Sequence, residues 1–80
     1  MLLEFEEKAV TQEAKVLFFF RQNLHRSFTP FEVKQHSGLN APITSIRRAM
    51  SNLTDQGRLI KTPATRQGEY GKPNYCWRLL

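Results

Sequence analysis

The segment from Phe28 to Val33 fixes the start of a helix, and it constrains the fold of the 80-residue chain more firmly than any other feature. Thr29 is a favoured N-cap residue, and Pro30 follows at the first helical position, where its missing N–H costs no hydrogen bond. Glu32 lies three residues after Thr29 and completes a capping box, with Phe28 and Val33 as a hydrophobic staple around it. A helix is therefore predicted to begin at Pro30.

Proline and glycine mark the boundaries that follow. Gly38 ends this helix after about two turns, because glycine readily takes the left-handed conformation that closes a helix. After a tight turn, Pro42 lies in the first turn of another helix, with Asn40 or Ala41 as its cap and Gly57 at its end. A short helix joined to a longer one by a tight turn is a helix-turn-helix unit.

The longer helix, predicted over residues 42–56, has two chemically different faces. Its apolar residues share one face at helical spacing and are Ile43, Ile46, Ala49, Met50 and Leu53. The opposite face and its flanks are small, polar and cationic, with Thr44, Ser45, Arg47, Arg48, Ser51 and Asn52. The apolar face suits packing against other helices, and the polar face suits entry into the major groove of DNA.

Further elements are predicted before and after this pair of helices. A first helix runs from a cap at Thr11 to about Leu24, and its core stripe is Val16, Leu17, Phe20 and Leu24. Residues 58–62 have a short strand pattern. Residues 75–79 alternate with a period of two, which places Tyr75, Trp77 and Leu79 on one inward face. The loop between the two strands, residues 63–74, is long for a hairpin, which favours a functional role.

This order of elements predicts an α+β fold. It is a winged helix-turn-helix, in which a three-helix core is followed by a two-stranded β-hairpin wing. Residues 11–80 form that domain, and residues 1–10 form an N-terminal arm or a short extra element.

Charge is distributed unevenly along the chain. Residues 1–14 contain four Glu and one Lys, a net charge of −3. Residues 15–80 contain eleven basic and three acidic residues, a net charge of +8. A basic body of this kind favours a polyanionic partner, and nucleic acid is the partner predicted.

Two segments resemble small bacterial and phage winged helix-turn-helix DNA-binding proteins. Residues 44–61, TSIRRAMSNLTDQGRLIK, are similar to the recognition helix and first wing strand of those proteins. Residues 70–79, YGKPNYCWRL, resemble their returning wing strand, in which Gly-Lys-Pro or Gly-Arg-Pro precedes an aromatic strand. The resemblance extends over residues 11–80. It implies a fold more than a function, because this fold serves repressors, activators, replication initiators and protein-binding modules.

The predicted function is duplex DNA binding by a small transcription regulator. Helix 42–56 would enter the major groove, and the 63–74 wing would contact the adjacent backbone or minor groove. Arginine can pair with guanine and asparagine with adenine, and short hydroxyl side chains near a helix start can bind phosphates. The residues predicted to bind DNA are Thr44, Ser45, Arg47, Arg48, Ser51, Asn52, Arg66 and Lys72.

The sequence alone also allows functions other than transcription regulation. The chain could be a winged-helix protein–protein interaction module without DNA binding, or a phage or plasmid replication accessory factor that uses the same DNA-binding surface. A homodimer is a further possibility, through the N-terminal arm and the pair Phe18 and Phe19, which exceed what the core stripe of the first helix needs.

Other classes of protein find little support. A single cysteine excludes an internal disulfide and a cysteine-rich zinc site, and two histidines leave little material for a metal centre. No nucleophile, base and orienting group stand together, so neither an enzyme activity nor a cofactor is predicted. The longest apolar run, Val16–Phe20, is far shorter than a membrane span. The acidic start is unlike a secretory signal, which favours a cytoplasmic, nucleoid-associated protein.

Overall fold

A computed structural model describes residues 11–67 and 71–80. Within those residues the chain has the predicted α+β class, with three helices and a three-stranded antiparallel sheet. The elements are α1 (Gln12–Arg21), β1 (Ser27–Phe28), α2 (Pro30–Ser37), α3 (Ile43–Asp55), β2 (Leu59–Gln67) and β3 (Pro73–Leu79). No helix in this part of the chain is long and apolar enough to cross a membrane. The predicted arm, residues 1–10, lies outside the described residues.

The capping box at the start of α2 forms as predicted. Thr29 Oγ1 accepts a hydrogen bond from the backbone N–H of Glu32 at 3.2 Å, and Glu32 Oε1 accepts one from the backbone N–H of Thr29 at 3.0 Å. The staple residues Phe28 and Val33 are both buried. Gly38 ends α2 with a left-handed φ of 74°, also as predicted.

The first helix ends earlier than predicted. Thr11 caps α1, but the helix stops before Leu24, which is exposed and not part of the core. The side-chain amide of Asn23 donates to the carbonyl of Phe19 at 2.7 Å and so occupies an acceptor at the end of the helix. His25 then turns the chain with a left-handed φ of 68°.

The third helix is capped by backbone alone. The carbonyl of Pro42 accepts hydrogen bonds from the N–H groups of Ser45 and Ile46 at 3.0 and 3.2 Å. The predicted cap at Asn40 or Ala41 is therefore wrong, because Pro42 is itself the extended residue that precedes the helix.

The core lies between the three helices and the sheet. It consists of Val16, Leu17, Phe19, Phe20, Phe28, Val33, Ile46, Ala49, Met50, Leu53 and Leu59. The rings of Phe19, Phe20 and Phe28 pack against one another, with centroids 4.9 to 5.8 Å apart. Of the two residues predicted for a homodimer contact, Phe19 belongs to this core, and Phe18 is 60% exposed.

The sheet contains one strand more than the sequence predicts. β3 lies at its centre, in the order β1–β3–β2, and Phe28 of β1 lies opposite Trp77. β1 is only two residues long, so it has no recognisable sequence pattern. It nevertheless brings the start of α2 against the sheet, because Thr29 follows it directly.

The second strand is longer than predicted because the sheet tolerates Pro63. The register of β2 against β3 shifts between Lys61 and Thr65, where an irregularity accommodates a residue that cannot donate a backbone hydrogen bond. Thr62 Oγ1 accepts a hydrogen bond at 3.3 Å from the backbone N–H two residues on. Strand pairing therefore covers much of the predicted 63–74 loop.

The face of β3 that carries Tyr75, Trp77 and Leu79 was predicted to pack against the core, and only part of it does. Trp77 and Leu79 pack half-buried against the core, whereas Tyr75 is 48% exposed and Cys76 is fully buried. Tyr75 lies beyond the register shift, and residues 63–67 of β2 are all exposed there. The period-two pattern of β3 thus assigns Tyr75 to the wrong environment.

Replacing Thr29 with alanine should lower the free energy of unfolding by about 1 kcal/mol, because the N-cap hydrogen bond to the N–H of Glu32 is lost. Urea denaturation followed by circular dichroism measures this change. Thr44→Ala, at an exposed position of α3, is the matched control and should change stability by less than about 0.5 kcal/mol. Equal losses in the two variants would contradict a stabilising role for the cap.

Candidate nucleic-acid interface

One side of α3 presents polar and cationic side chains to solvent. Ile46, Ala49, Met50 and Leu53 recur at helical spacing and are buried, so the opposite side of the helix faces solvent. Four of the residues predicted to bind DNA are exposed there and define what we call the α3 face: Thr44, Arg47, Arg48 and Ser51.

The two arginines of the α3 face keep their charge available. Among the described residues, neither Arg47 nor Arg48 forms an ion pair with a carboxylate. The acidic residue of α3, Asp55, lies at the far end of the helix. Each guanidinium group therefore offers planar, bidentate donors to a ligand such as a phosphate or a guanine edge.

Ser45 and Asn52 lie on the flank of α3 that faces α1. The Asn52 amide donates to Glu13 Oε2 at 2.7 Å, and the Gln56 amide donates to Glu13 Oε1 at 3.1 Å. Ser45 and Asn52 are both half-buried. The Asn52 amide is thus used to join α1 to α3, and reading an adenine would require it to leave Glu13.

Arg66 also has partners within the chain. Its Nη1 donates to Glu32 Oε1 at 2.7 Å and to the carbonyl of Ser27 at 2.9 Å. Glu32 Oε1 is the same oxygen that caps α2. Because β3 lies between β1 and β2, Arg66 reaches across the central strand and joins the far strand of the sheet to the start of α2.

The β2–β3 pair adds further cations and an exposed aromatic ring. Lys72 is exposed just before β3. Lys61 Nζ lies 4.3 Å from the ring centroid of Tyr75 and 5.6 Å from that of Trp77, which are cation–π distances. The sequence interpretation placed Tyr75 in the core. Pro63 within the neighbouring strand pattern is the signal that the pairing changes there.

The α3 face and the β2–β3 pair are contiguous. Arg47 and Ser51 line a shallow cavity of about 250 Å³ together with Tyr75 and Asn74 of β3. We call this cavity the α3–β3 cleft. Its remaining walls are Pro30, Met50, Pro73 and Trp77. A ligand on the α3 face would therefore also meet the first residues of β3.

Comparison with protein-family models and with curated proteins finds no match for this chain. Within residues 11–67 and 71–80, no group of three or more His, Cys, Asp or Glu side chains could hold a metal ion. The α3 face offers the guanidinium groups of Arg47 and Arg48 and the hydroxyl groups of Thr44 and Ser51 to a ligand.

Glu32→Gln should separate the two roles of the Glu32 carboxylate, which are the cap of α2 and the ion pair with Arg66. Glutamine keeps an acceptor for the N–H of Thr29, so the cap survives, whereas the ion pair with Arg66 is lost. We expect the free energy of unfolding to fall by less than about 1 kcal/mol, because the pair is partly exposed.

Glu32→Ala is the comparison for that variant, since it removes the cap hydrogen bond as well and should cost about 1 kcal/mol more. Urea denaturation of both variants gives the difference. Equal losses for Gln and Ala would contradict the stabilising role of the bond between Glu32 Oε1 and the N–H of Thr29.

Proposed function

We propose that this protein is a winged-helix protein that binds duplex DNA, as a small transcription regulator. In this proposal α3 is the recognition helix and the β2–β3 pair is the wing. The observation that carries it is the α3 face, where Arg47 and Arg48 stand exposed and without carboxylate partners among the described residues. Arg47 lies beside the β2–β3 pair, and Arg48 lies toward α1. The net charge of +8 over residues 15–80 supports a polyanionic partner.

The dimensions and side chains of α3 suit the major groove. Its 13 residues give a helix about 20 Å long, and the major groove of B-DNA admits an α-helix. Thr44 and Ser51 are small and allow the helix backbone to approach the bases closely. Arg47 and Arg48 are long enough to reach guanine edges or phosphates from the same face.

The other predicted residues take different roles in this proposal. Asn52 and Arg66 support the interface, because their donors already hold α3 against α1 and β2 against α2. Ser45 contributes a hydroxyl group that can bind a phosphate from the flank of α3 that faces α1. Lys72 supplies charge with which the wing contacts the adjacent backbone or minor groove, and Lys61 adds to it although it was not among the predicted residues.

Binding of a labelled mixed-sequence duplex of about 20 base pairs tests the function, with fluorescence anisotropy measured at about 50 and about 200 mM salt. If Arg47, Arg48, Lys61 and Lys72 each neutralise one phosphate, this change of salt should weaken the affinity by about 100-fold through counterion release. Absence of binding at both salt concentrations, with circular dichroism showing a folded sample, would contradict DNA binding and favour the protein-interaction module.

Arg48→Ala and Arg47→Ala should each weaken duplex binding by about 1–3 kcal/mol if the side chain pairs with a base, which is a factor of about 5 to 150 in Kd. Arg21→Ala is the matched control, because it removes the same charge from an exposed site on α1 outside the α3 face. Equal weakening in all three variants would show that net charge alone, and not the α3 face, governs the affinity.

A protein-interaction surface is a second candidate that the exposure of Phe18 favours. A homodimer would use Phe18 alone of the predicted pair, because Phe19 lies in the core. A replication accessory factor would use the same DNA-binding surface as a transcription regulator. Selection of the preferred DNA site from a random library, followed by mapping it to a promoter or a replication origin, separates those two roles.

A further inference from the structure

A second cavity, of about 750 Å³, lies between α1, the α1–β1 turn and the end of α2. It shares no lining residue with the α3 face or with the α3–β3 cleft. We call it the α1–α2 groove. Its apolar lining is provided by Phe18, Phe19, Phe28 and Leu39. An exposed phenylalanine over an apolar groove is typical of a surface that another segment covers.

The polar lining of the α1–α2 groove combines basic side chains with the neutral Gln22, Asn23 and Ser37. Lys15, Arg26 and His36 line it, and no Asp or Glu of the described part of the chain does so. The guanidinium carbon of Arg26 lies 5.2 Å from the ring centroid of Phe28, so the cationic and apolar parts of the groove adjoin. A groove of this chemistry fits an acidic segment that also carries bulky apolar side chains.

The chain itself contains such a segment in residues 1–10, MLLEFEEKAV, which lie outside the described residues. Its sequence combines a net charge of −2 with the apolar side chains of Leu2, Leu3 and Phe5. It joins α1 at Thr11, close to Ala14 and Lys15, which line the groove.

The length of the segment matches the distance it would have to cover. Ten residues can span up to about 33 Å when extended, whereas α1 with its ten residues is about 15 Å long. The covalent connection also gives the segment a millimolar-range effective concentration at the groove, which a separate partner would have to exceed.

We propose that the α1–α2 groove binds the chain's own amino-terminal segment, residues 1–10. The apolar side chains of the segment would cover Phe18, and its glutamates would lie toward Lys15 and Arg26. This proposal goes beyond DNA binding, and it succeeds or fails independently because its test contains no DNA.

Cross-linking of the full chain tests it, since the one native cysteine, Cys76, is fully buried. Leu3→Cys is combined with Gln22→Cys, an exposed position that lines the groove, and the product is treated with a short bis-maleimide. The matched control combines Leu3→Cys with Ser51→Cys on the α3 face. We expect an internally cross-linked monomer for the first pair and unlinked adducts for the control, as read by intact mass and denaturing gel electrophoresis.

Charge reversal then tests the electrostatic part of the proposal. Lys15→Glu together with Arg26→Glu should lower the yield of cross-linked monomer at least about twofold, and adding Glu4→Lys with Glu6→Lys should restore it. A covalent dimer would show that a second copy occupies the groove and would overturn the proposal. Equal yields for the groove pair and the control, or no cross-link in either, would overturn it as well.

Discussion

The carboxylate of Glu32 is the contact on which the arrangement of the molecule depends. Its Oε1 accepts a hydrogen bond from the N–H of Thr29, which starts α2, and another from Arg66, which belongs to the far strand of the sheet. Neither bond alone is a large source of stability, because the ion pair is partly exposed. The two bonds matter for the geometry of the molecule because they share one acceptor atom, Glu32 Oε1. It links the start of α2 directly to the β2–β3 pair, beside which α3 packs.

A second contact of the same kind fixes the other flank of α3. Glu13 of α1 accepts hydrogen bonds from Asn52 and Gln56 with its two oxygens, so α3 is joined to α1 near its carboxyl end. Two polar residues that a sequence pattern assigns to DNA contact, Asn52 and Arg66, are in this way used to position others. Among the described residues, the arginines without carboxylate partners on α3 are Arg47 and Arg48, which makes them the stronger candidates for a ligand.

How far the sequence could predict the structure depended on the distance between partners along the chain. The capping box joins Thr29 to Glu32, and the two faces of α3 follow from helical spacing, so both are local and were predicted. The bond between Glu13 and Asn52 joins residues 39 apart, and β1 pairs with β3 although it is only two residues long. No local pattern reports such pairings. The exposure of Tyr75 was missed for the same reason, because it depends on a register shift in the neighbouring strand.

The separation of charge along the chain bears on the proposed binding of DNA. Residues 1–10 carry a net charge of −2, and an acidic segment tethered to a basic body is attracted to every cation on it, including those of the α3 face. There it would compete with phosphates for Arg47 and Arg48. The α1–α2 groove offers the acidic segment cations beside an apolar lining in a cavity of about 750 Å³, whereas the α3–β3 cleft measures about 250 Å³, and the two surfaces share no residue. Occupation of the groove would therefore leave the α3 face open to the proposed DNA ligand, because the larger apolar surface favours the groove when both surfaces are basic.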